Sequence, residues 1–205
     1  DELLALSKFK EMKELAKTDG GARKSKITGI PKLDDANKAG TNQSKKCTLI
    51  TTEGDSAKTL AVAGLSVVGR DHYGVFPLRG KCKNVRDASV AQLTGNQEFN
   101  DLKKILGLQQ GKDYKDVSEL RYGRLMIITD ADNDGSHIKV LILNQLHYFW
   151  PSLLKLGFVV SMVTPIIKAT KASQTKSFYT DSAFRNWYGN GQQGWRIKYY
   201  KGLGT

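Results

Sequence analysis

The sequence predicts an α/β fold in which a parallel four-stranded sheet is flanked by helices and followed by a C-terminal extension rich in β-strands. Short β-branched runs alternate with segments of helical periodicity between residues 47 and 163, which is typical of a parallel sheet covered on both faces. The chain has 205 residues, of which 40% are apolar, and this is enough for a packed core. Because no run of about 18 apolar residues occurs, we expect no membrane-spanning helix.

The first 46 residues are predicted to form a helix and a linker. Apolar side chains recur at helical spacing over residues 1–18, and Gly20-Gly21 gives a stop signal. These apolar positions are Leu3, Leu6, Phe9, Met12 and Leu15. The residues that follow, up to Lys46, are polar and poorly periodic, so we expect a linker or extended arm. The N-terminus has no initiator Met, which is typical of an excised fragment.

The strands of the sheet are predicted at residues 47–52, 73–76, 125–129 and 158–163. Three helices are predicted. The first follows Asp55, which is expected to cap it, the second lies around residues 102–106, and the third runs from about Ser136 to Pro151. Further strands or hairpins are expected at residues 166–169, 177–180 and 196–200. Functional groups should then cluster at the carboxyl ends of the parallel strands.

Positive charge is concentrated in the last third of the chain. The formal net charge is +12, and residues 135–205 contribute +8 of it, because their nine basic side chains are offset by a single acid, Asp181. Residues 47–134, by contrast, are neutral overall. A region of one sign attracts polyanions, nucleic acid first among them, although a solvated basic surface explains the same charge.

Acidic residues follow two of the predicted strands. Glu53 follows the first strand, and Asp130 and Asp132 follow the third. Two carboxylates about 4 Å apart repel by roughly 4 kcal/mol at an effective dielectric constant of about 20, and a divalent cation removes this conflict. Oxygen-only ligands suit Mg²⁺ or Mn²⁺. We therefore expect Glu53, Asp130 and Asp132 to bind a metal; the alternative is that they are acidic turn residues.

Two other motifs fit parts of the same region. The segment Asp130-x-Asp-x-Asp-Gly135 matches the opening of a calcium-binding EF-hand loop, but Leu141 stands where that loop requires Glu. The segment from Gly54 to Thr59 is similar to a phosphate-binding loop, but Ala57 stands where the second Gly is required. A nucleotide-hydrolysing loop stays open as the weaker alternative.

A basic loop follows the second predicted strand. The segment Arg79-Gly-Lys-Cys-Lys-Asn-Val-Arg86 holds four cations within eight residues, and Gly80 allows a ligand to approach the backbone closely. Such a loop beside a metal suits the binding of phosphate groups. A solvated surface loop is the alternative.

Four motifs in the order found here resemble those of the type IIA DNA topoisomerases, and the two acidic ones are typical of the Toprim domain. They are Glu53-Gly-Asp-Ser-Ala-Lys, Pro77-Leu-Arg-Gly-Lys, Asp130-x-Asp-x-Asp-Gly-Ser-His-Ile and Tyr200-Lys-Gly-Leu-Gly-Thr. Arg79 and Lys58-Thr59 favour the eukaryotic topoisomerase II branch. The resemblance implies a Rossmann-like Toprim metal-binding domain over residues 47–170, a helix and linker from a preceding transducer domain over residues 1–46, and an extension over residues 171–205 leading towards a winged-helix domain.

The resemblance also implies an activity. The family consists of Mg²⁺-dependent, ATP-hydrolysing isomerases that break both strands of one duplex through a tyrosyl–DNA link, pass a second duplex and religate. It implies that the nucleophilic tyrosine and the ATPase domain lie outside this chain, so that residues 1–205 alone are inactive and bind no ATP. Double-stranded DNA and a second copy of the full-length protein are the implied partners, and the nucleus is the implied location.

The implied site residues fall into three groups. Glu53, as the catalytic carboxylate, and Asp130 hold the metal nearest the scissile phosphate, while Asp130 and Asp132 hold a second one with Asp134 nearby; Mn²⁺ or Ca²⁺ can substitute in binding. Contacts with DNA are implied for Arg79, Lys81 and Asn84. An inhibitor pocket is implied at Gly54, Asp55, Arg79 and Gly80. Outside this family, the alternative is a non-catalytic basic nucleic-acid-binding module.

Overall fold

A computed structural model describes residues 2–20, 26–79, 82–200 and 202, without the side chains of residues 2–4, 55 and 56. The helices are α1 (Glu2–Ala16), α2 (Gly54–Val68), α3 (Val90–Thr94), α4 (Gln97–Leu106), α5 (Asn133–Phe149), α6 (Pro151–Lys155) and α7 (Asp181–Tyr188). The strands are β1 (Thr48–Glu53), β2 (Tyr73–Leu78), β3 (Arg124–Ile128), β4 (Val159–Ser161), β5 (Ile167–Lys171), β6 (Gln174–Phe178) and β7 (Arg196–Tyr199). No helix within the described ranges is long and apolar enough to cross a membrane.

The first four strands form a parallel sheet in the order β2-β1-β3-β4, which confirms the predicted fold class. Strand β1 is buried along nearly its whole length, because helices cover both faces of the sheet. On one face Ile50 packs in a cluster with Leu65 of α2. On the other face Leu49 belongs to a larger cluster that includes Ile138 and Ile142 of α5. Both clusters leave the carboxyl edge of the sheet as the place for polar groups.

The part of the predicted linker that the structure describes, residues 26–46, is packed into the fold. Asp34 pairs with Val75 in antiparallel orientation through two backbone hydrogen bonds of 2.8 and 2.9 Å, so it covers the outer edge of β2. Asp35 forms a salt bridge to the buried Arg121 at 2.5 Å, and Ala39 is fully buried. The expectation of an extended arm was therefore wrong, because the partners lie far along the chain, where local periodicity carries no information.

Helix α1 forms as predicted, but its apolar stripe is buried only at one end. Leu15 is 4% exposed, whereas Leu6 and Phe9 are 56% and 59% exposed. Beside Leu15, the buried ammonium of Lys103 donates to the Leu15 carbonyl at 2.8 Å and contacts Asp19 at 2.7 Å. Burial lowers the pKa of Lys103, and the hydrogen bond and charge of Asp19 raise it. The helix is thus anchored to α4 by its last turn.

The last three strands form a separate antiparallel sheet in the order β6-β5-β7, which confirms the predicted β-rich extension. Helix α7, which was not predicted, packs on one face of this sheet through aromatic contacts: the Phe178 ring lies 5.4 Å from Phe184 and 4.9 Å from Trp187, centroid to centroid. Strand β5 belongs wholly to this second sheet, so it lies across the predicted domain boundary at residue 170.

Candidate metal centre

The carboxyl edge of the parallel sheet holds the predicted acidic residues. Strands β1 and β3 are in register up to the pair Thr52–Ile128, so Glu53, the last residue of β1, and Asp130, just after β3, lie at the same edge. The backbone of Asp130 hydrogen-bonds to the Glu53 carboxylate. The fold thus brings these two residues together although 76 positions of sequence separate them.

Glu53 lies in surroundings that disfavour its ionised form. Burial raises the pKa of its carboxyl group, and the negative charges of Asp132, Asp130 and Asp134 raise it further, while the backbone hydrogen bond from Asp130 lowers it. Its Oε2 atom is buried and has no hydrogen-bond partner among the described residues. A buried carboxylate oxygen without a partner is costly, and a cation beside this atom would relieve both the burial and the repulsion.

Helix α5 begins at this edge and places the other two acids. Asp132 caps the helix, because its Oδ1 accepts a hydrogen bond of 2.8 Å from the backbone N–H of Gly135. The helix consequently begins at Asn133, one turn before the predicted start near Ser136. Asp134 lies in the first turn, where a negative charge interacts favourably with the helix dipole. Asp132 therefore has a structural role that the sequence interpretation did not assign to it.

Helix α2 begins at Gly54, and Glu53 occupies its capping position without a side-chain cap bond. The prediction that Asp55 caps this helix was therefore wrong. Further along α2, the ammonium of Lys58 pairs with Asp34 at 2.8 Å and donates to the Lys32 carbonyl at 3.0 Å. In a phosphate-binding loop this lysine would face the phosphates, whereas here it links residues 32 and 34 to α2, which weakens the nucleotide-hydrolysing alternative.

Two glycines allow the backbone to approach Asp130 closely. A Cβ atom at Gly135 would lie 2.2 Å from the Asp130 carbonyl oxygen, and one at Gly202 would lie 3.0 Å from Asp130 Oδ2. Gly202 therefore lies beside the acidic edge. Sequence reasoning noted both glycines within motifs but gave them no role, because a close approach between distant segments has no local signature.

The predicted ligands share one edge without forming a closed shell. Within the described residues, no three groups among His, Cys, Asp and Glu are spaced to hold a metal ion. Carboxylates of like charge separate by repulsion unless a cation draws them together. The oxygen-only donor set and the unpartnered Oε2 of Glu53 fit a hard divalent cation such as Mg²⁺.

The first cation of the predicted basic loop lies at the same edge. Arg79 directly follows β2, whose last residue, Leu78, is in register with Glu53. Its side chain is exposed, and its backbone N–H donates to the carboxylate of Glu98. Burial raises the pKa of Glu98, and the charge of Arg79 lowers it. The predicted site residues that lie outside the described part of the chain are Gly80, Lys81 and the side chain of Asp55.

Asn84 is engaged by the protein itself. Its side-chain oxygen accepts hydrogen bonds from Asn144 of α5 at 2.7 Å and from the backbone of Arg86 at 3.3 Å, and its amide donates to Asp87. Arg86 in turn donates to Asn144 at 2.9 Å. Asn84 thus fixes the basic loop against α5, a role that no sequence signal indicated.

Comparison with known families identifies the class of this fold and site. A model of the Toprim domain matches residues 48–163, and a model of the C-terminal associated domain of Toprim matches residues 162–205. The chain belongs to the Toprim domain family, as its acidic motifs predicted.

The relatives of the chain confirm the resemblance to eukaryotic type II topoisomerases. It is 57% identical over 210 residues to DNA topoisomerase 2 of Pisum sativum and 55% identical to DNA topoisomerase 2-beta of Homo sapiens. Both alignments cover 100% of this chain but only 14% and 13% of those proteins. The DNA-binding, cleavage and re-ligation domain of Plasmodium falciparum topoisomerase II has a similar structure, with a TM-score of 0.83 and 57% identity over 88% of this chain and 25% of that one.

Proposed function

We propose that this chain is the metal-binding part of an ATP-dependent type II DNA topoisomerase, an isomerase that transiently breaks both strands of a duplex. The observation that carries the proposal is the edge at which Glu53 and Asp130 meet, with a buried, unpartnered oxygen on Glu53. The names of the relatives support the substrate class, since they are DNA topoisomerases. The nucleophilic tyrosine and the ATPase are proposed to lie outside residues 1–205, so the chain alone binds metal and cleaves nothing.

The carboxylates would have distinct roles at the scissile phosphate. Glu53 and Asp130 would hold one divalent cation, and Asp130 with Asp132 a second, with Asp134 nearby. A bound Mg²⁺ would supply Lewis-acid stabilisation of the phosphate and of the leaving oxygen. Before a cation binds, burial and the charges of Asp132, Asp130 and Asp134 raise the pKa of Glu53, and a cation at this edge would remove the repulsion among the acids.

The basic residues at the edge would bind the DNA backbone. Arg79 is exposed beside the end of β2, where a guanidinium can donate two hydrogen bonds to a phosphate. We propose the same contact for Lys81, and for Asn84 a smaller one limited by its bonds within the protein. A homodimer and a nuclear location of the full-length protein belong to the same proposal, as does an inhibitor pocket beside Gly54, Asp55, Arg79 and Gly80.

The proposal is tested by Mn²⁺ titration of the 205-residue chain, followed by water-proton relaxation. We expect Mn²⁺ to bind and Mg²⁺ to compete with it, and Asp130→Ala to weaken Mn²⁺ binding at least about tenfold. The matched control is Asp181→Ala, which removes an acid on α7 that pairs with Arg185 and should bind Mn²⁺ as the parent does. Equal binding by the Asp130→Ala variant and the parent would contradict the proposal, and no binding by the parent would favour a non-catalytic basic module.

A further inference from the structure

The face of the C-terminal sheet opposite α7 carries clustered positive charge. In the antiparallel register, Lys168 of β5 lies directly across from Lys198 of β7, and Thr170 lies across from Arg196. Side chains alternate between the two faces of a strand, so these four residues share one face. The alternate residues of β5, beginning with Ile167, face the opposite way, towards the apolar cluster under α7. Arg196 and Lys198 are exposed.

Two lysines converge on a single aromatic ring of this face. The ammonium groups of Lys168 and Lys198 lie 5.3 and 5.1 Å from the centroid of the Tyr200 ring. Like charges directly opposite each other on a sheet destabilise it, and a tyrosine ring offsets only part of that cost through cation–π attraction. The pair is therefore suited to an anion that neutralises both charges at once.

The C-terminal region offers almost no internal anion for this face. From residue 135 onward the sequence contains a single acid, Asp181, and it pairs with Arg185 of its own helix. A lysine of the opposite face also lies over aromatic rings. Lys176 lies over the rings of Trp187 and Trp195, at 5.3 and 5.9 Å. The difference is that one lysine meets two rings on that face, whereas Lys168 and Lys198 share a single ring.

We propose that the face formed by Lys168, Arg196, Lys198 and Tyr200, here named the basic sheet face, binds the phosphate backbone of duplex DNA. Duplex DNA presents one negative charge per about 1.7 Å of its axis, so adjacent phosphates can meet all three cations. The guanidinium of Arg196 matches phosphate geometry in two-pronged contacts. The choice of DNA as the polyanion rests on the proposed function; the surface itself lies on a different sheet from the carboxylate edge.

The test is fluorescence anisotropy of a labelled 24-base-pair duplex with the 205-residue chain, measured over a range of salt concentrations in EDTA. Chelation removes divalent cations, so the carboxylate edge cannot contribute metal-bridged binding. The variant Lys168→Gln/Lys198→Gln should bind more weakly, and the slope of log K against log salt should fall in magnitude by about 1.8, or about 0.9 per lost phosphate contact. Arg196→Gln alone should lower it by about 0.9.

The matched control removes the same charge elsewhere. Lys10→Gln/Lys155→Gln changes two exposed lysines on α1 and α6 and should leave the slope near that of the parent, while Lys168→Arg/Lys198→Arg should bind DNA as the parent does. An unchanged slope in the Gln variants, or an equal loss in the control, would overturn the proposal. If the Gln variants lose binding to poly-glutamate but keep the duplex, the face recognises an acidic protein segment and the DNA assignment fails. Each of these outcomes leaves the Mn²⁺ result at Asp130 unaffected.

Discussion

The two sheets of this chain expose their backbones and side chains to solvent in different ways. The parallel sheet is covered on both faces, so β1 is buried nearly throughout and polar groups are confined to its carboxyl edge. The antiparallel sheet is covered by α7 on one face, and most residues of β6 are exposed. The first sheet can therefore offer a small site built from residues at its strand ends, such as Glu53 and Asp130, and the second can offer an extended surface.

The two sheets also differ in the sign of the charge that gathers on them. Acids gather at the edge of the parallel sheet, where a compact cation fits between a few oxygens. Cations gather on the open face of the second sheet, where a long polyanion can lie. If both proposals hold, one chain presents two different electrostatic features to DNA, a compact site for metal and phosphate and a broad surface for the phosphate backbone.

The largest expected effect concerns the stability that the buried salt bridge beside the parallel sheet contributes. Arg121 is buried and paired with Asp35, so Arg121→Met leaves a partly buried carboxylate without its cation. We expect the free energy of unfolding to fall by about 3–5 kcal/mol, measured by urea denaturation followed by circular dichroism. The matched control on the open sheet, Arg196→Met, should change it by less than about 0.5 kcal/mol. Equal effects of the two variants would remove the contrast between a buried and an open sheet.

A second prediction concerns the pH dependence of stability that the buried Tyr114 causes. Burial raises the pKa of Tyr114 to about 12, so the folded chain keeps a proton that the unfolded chain loses above about pH 10. The stability that Tyr114 contributes is fully present below pH 10 and is lost as the pH rises from 10 to about 12. Over this window the free energy of unfolding of the parent should fall by about 2–3 kcal/mol more than that of the Tyr114→Phe variant.

Urea denaturation at stepped pH values measures this difference. Tyr199→Phe is the control on the C-terminal sheet, since Tyr199 is 67% exposed, and it should follow the parent across the window. Parallel pH profiles for the parent and the Tyr114→Phe variant would show that Tyr114 is not held in a low-dielectric core.

The smallest predicted effect concerns the contact between Gly202 and the carboxylate of Asp130. A Cβ at Gly202 would lie 3.0 Å from Asp130 Oδ2, so Gly202→Ala should displace that carboxylate by a few tenths of an ångström. We expect Mn²⁺ affinity to fall by a factor of about 3–10, less than the roughly 10–100-fold typical of losing a residue that hydrogen-bonds a metal ligand, because the carboxylate is only displaced. Gly64→Ala is the control, because a Cβ there meets nothing within 4 Å. Unchanged affinity in the Gly202→Ala variant would separate the C-terminal region from the metal site.

Much of the parallel sheet could be predicted from the sequence because its strands are local features. The run Thr48–Thr52 is β-branched and buried as a whole, so its pattern alone marks a covered strand, and the acids after it mark the edge. Strands β5 and β7 were also predicted, whereas the strand predicted at 177–180 overlaps only the last two residues of β6. Helix α7 was missed, since its two apolar residues that face the sheet, Phe184 and Trp187, lie in a short polar segment.

The rest depended on contacts between distant residues. Nothing in the sequence shows that Arg121 and Lys103 are buried, because each is neutralised by an acid more than 80 residues away, Asp35 and Asp19 respectively. The sequence prediction placed a helix cap at Asp55 and none at Asp132, whereas Asp55 lies inside α2 and Asp132 caps α5. Both acids stand near the start of a helix, and the sequence alone does not show at which residue each helix begins.

The most direct measurement of the central claim is the paramagnetic broadening of backbone amide resonances when Mn²⁺ is added to the ¹⁵N-labelled chain. We predict that broadening at low Mn²⁺ is strongest at Glu53, Asp130 and Asp132 and weakens with distance from them, and that excess Mg²⁺ reverses it. Broadening that spares Glu53 and Asp130, or that spreads equally over both sheets, would contradict a metal site at the carboxyl edge of the parallel sheet.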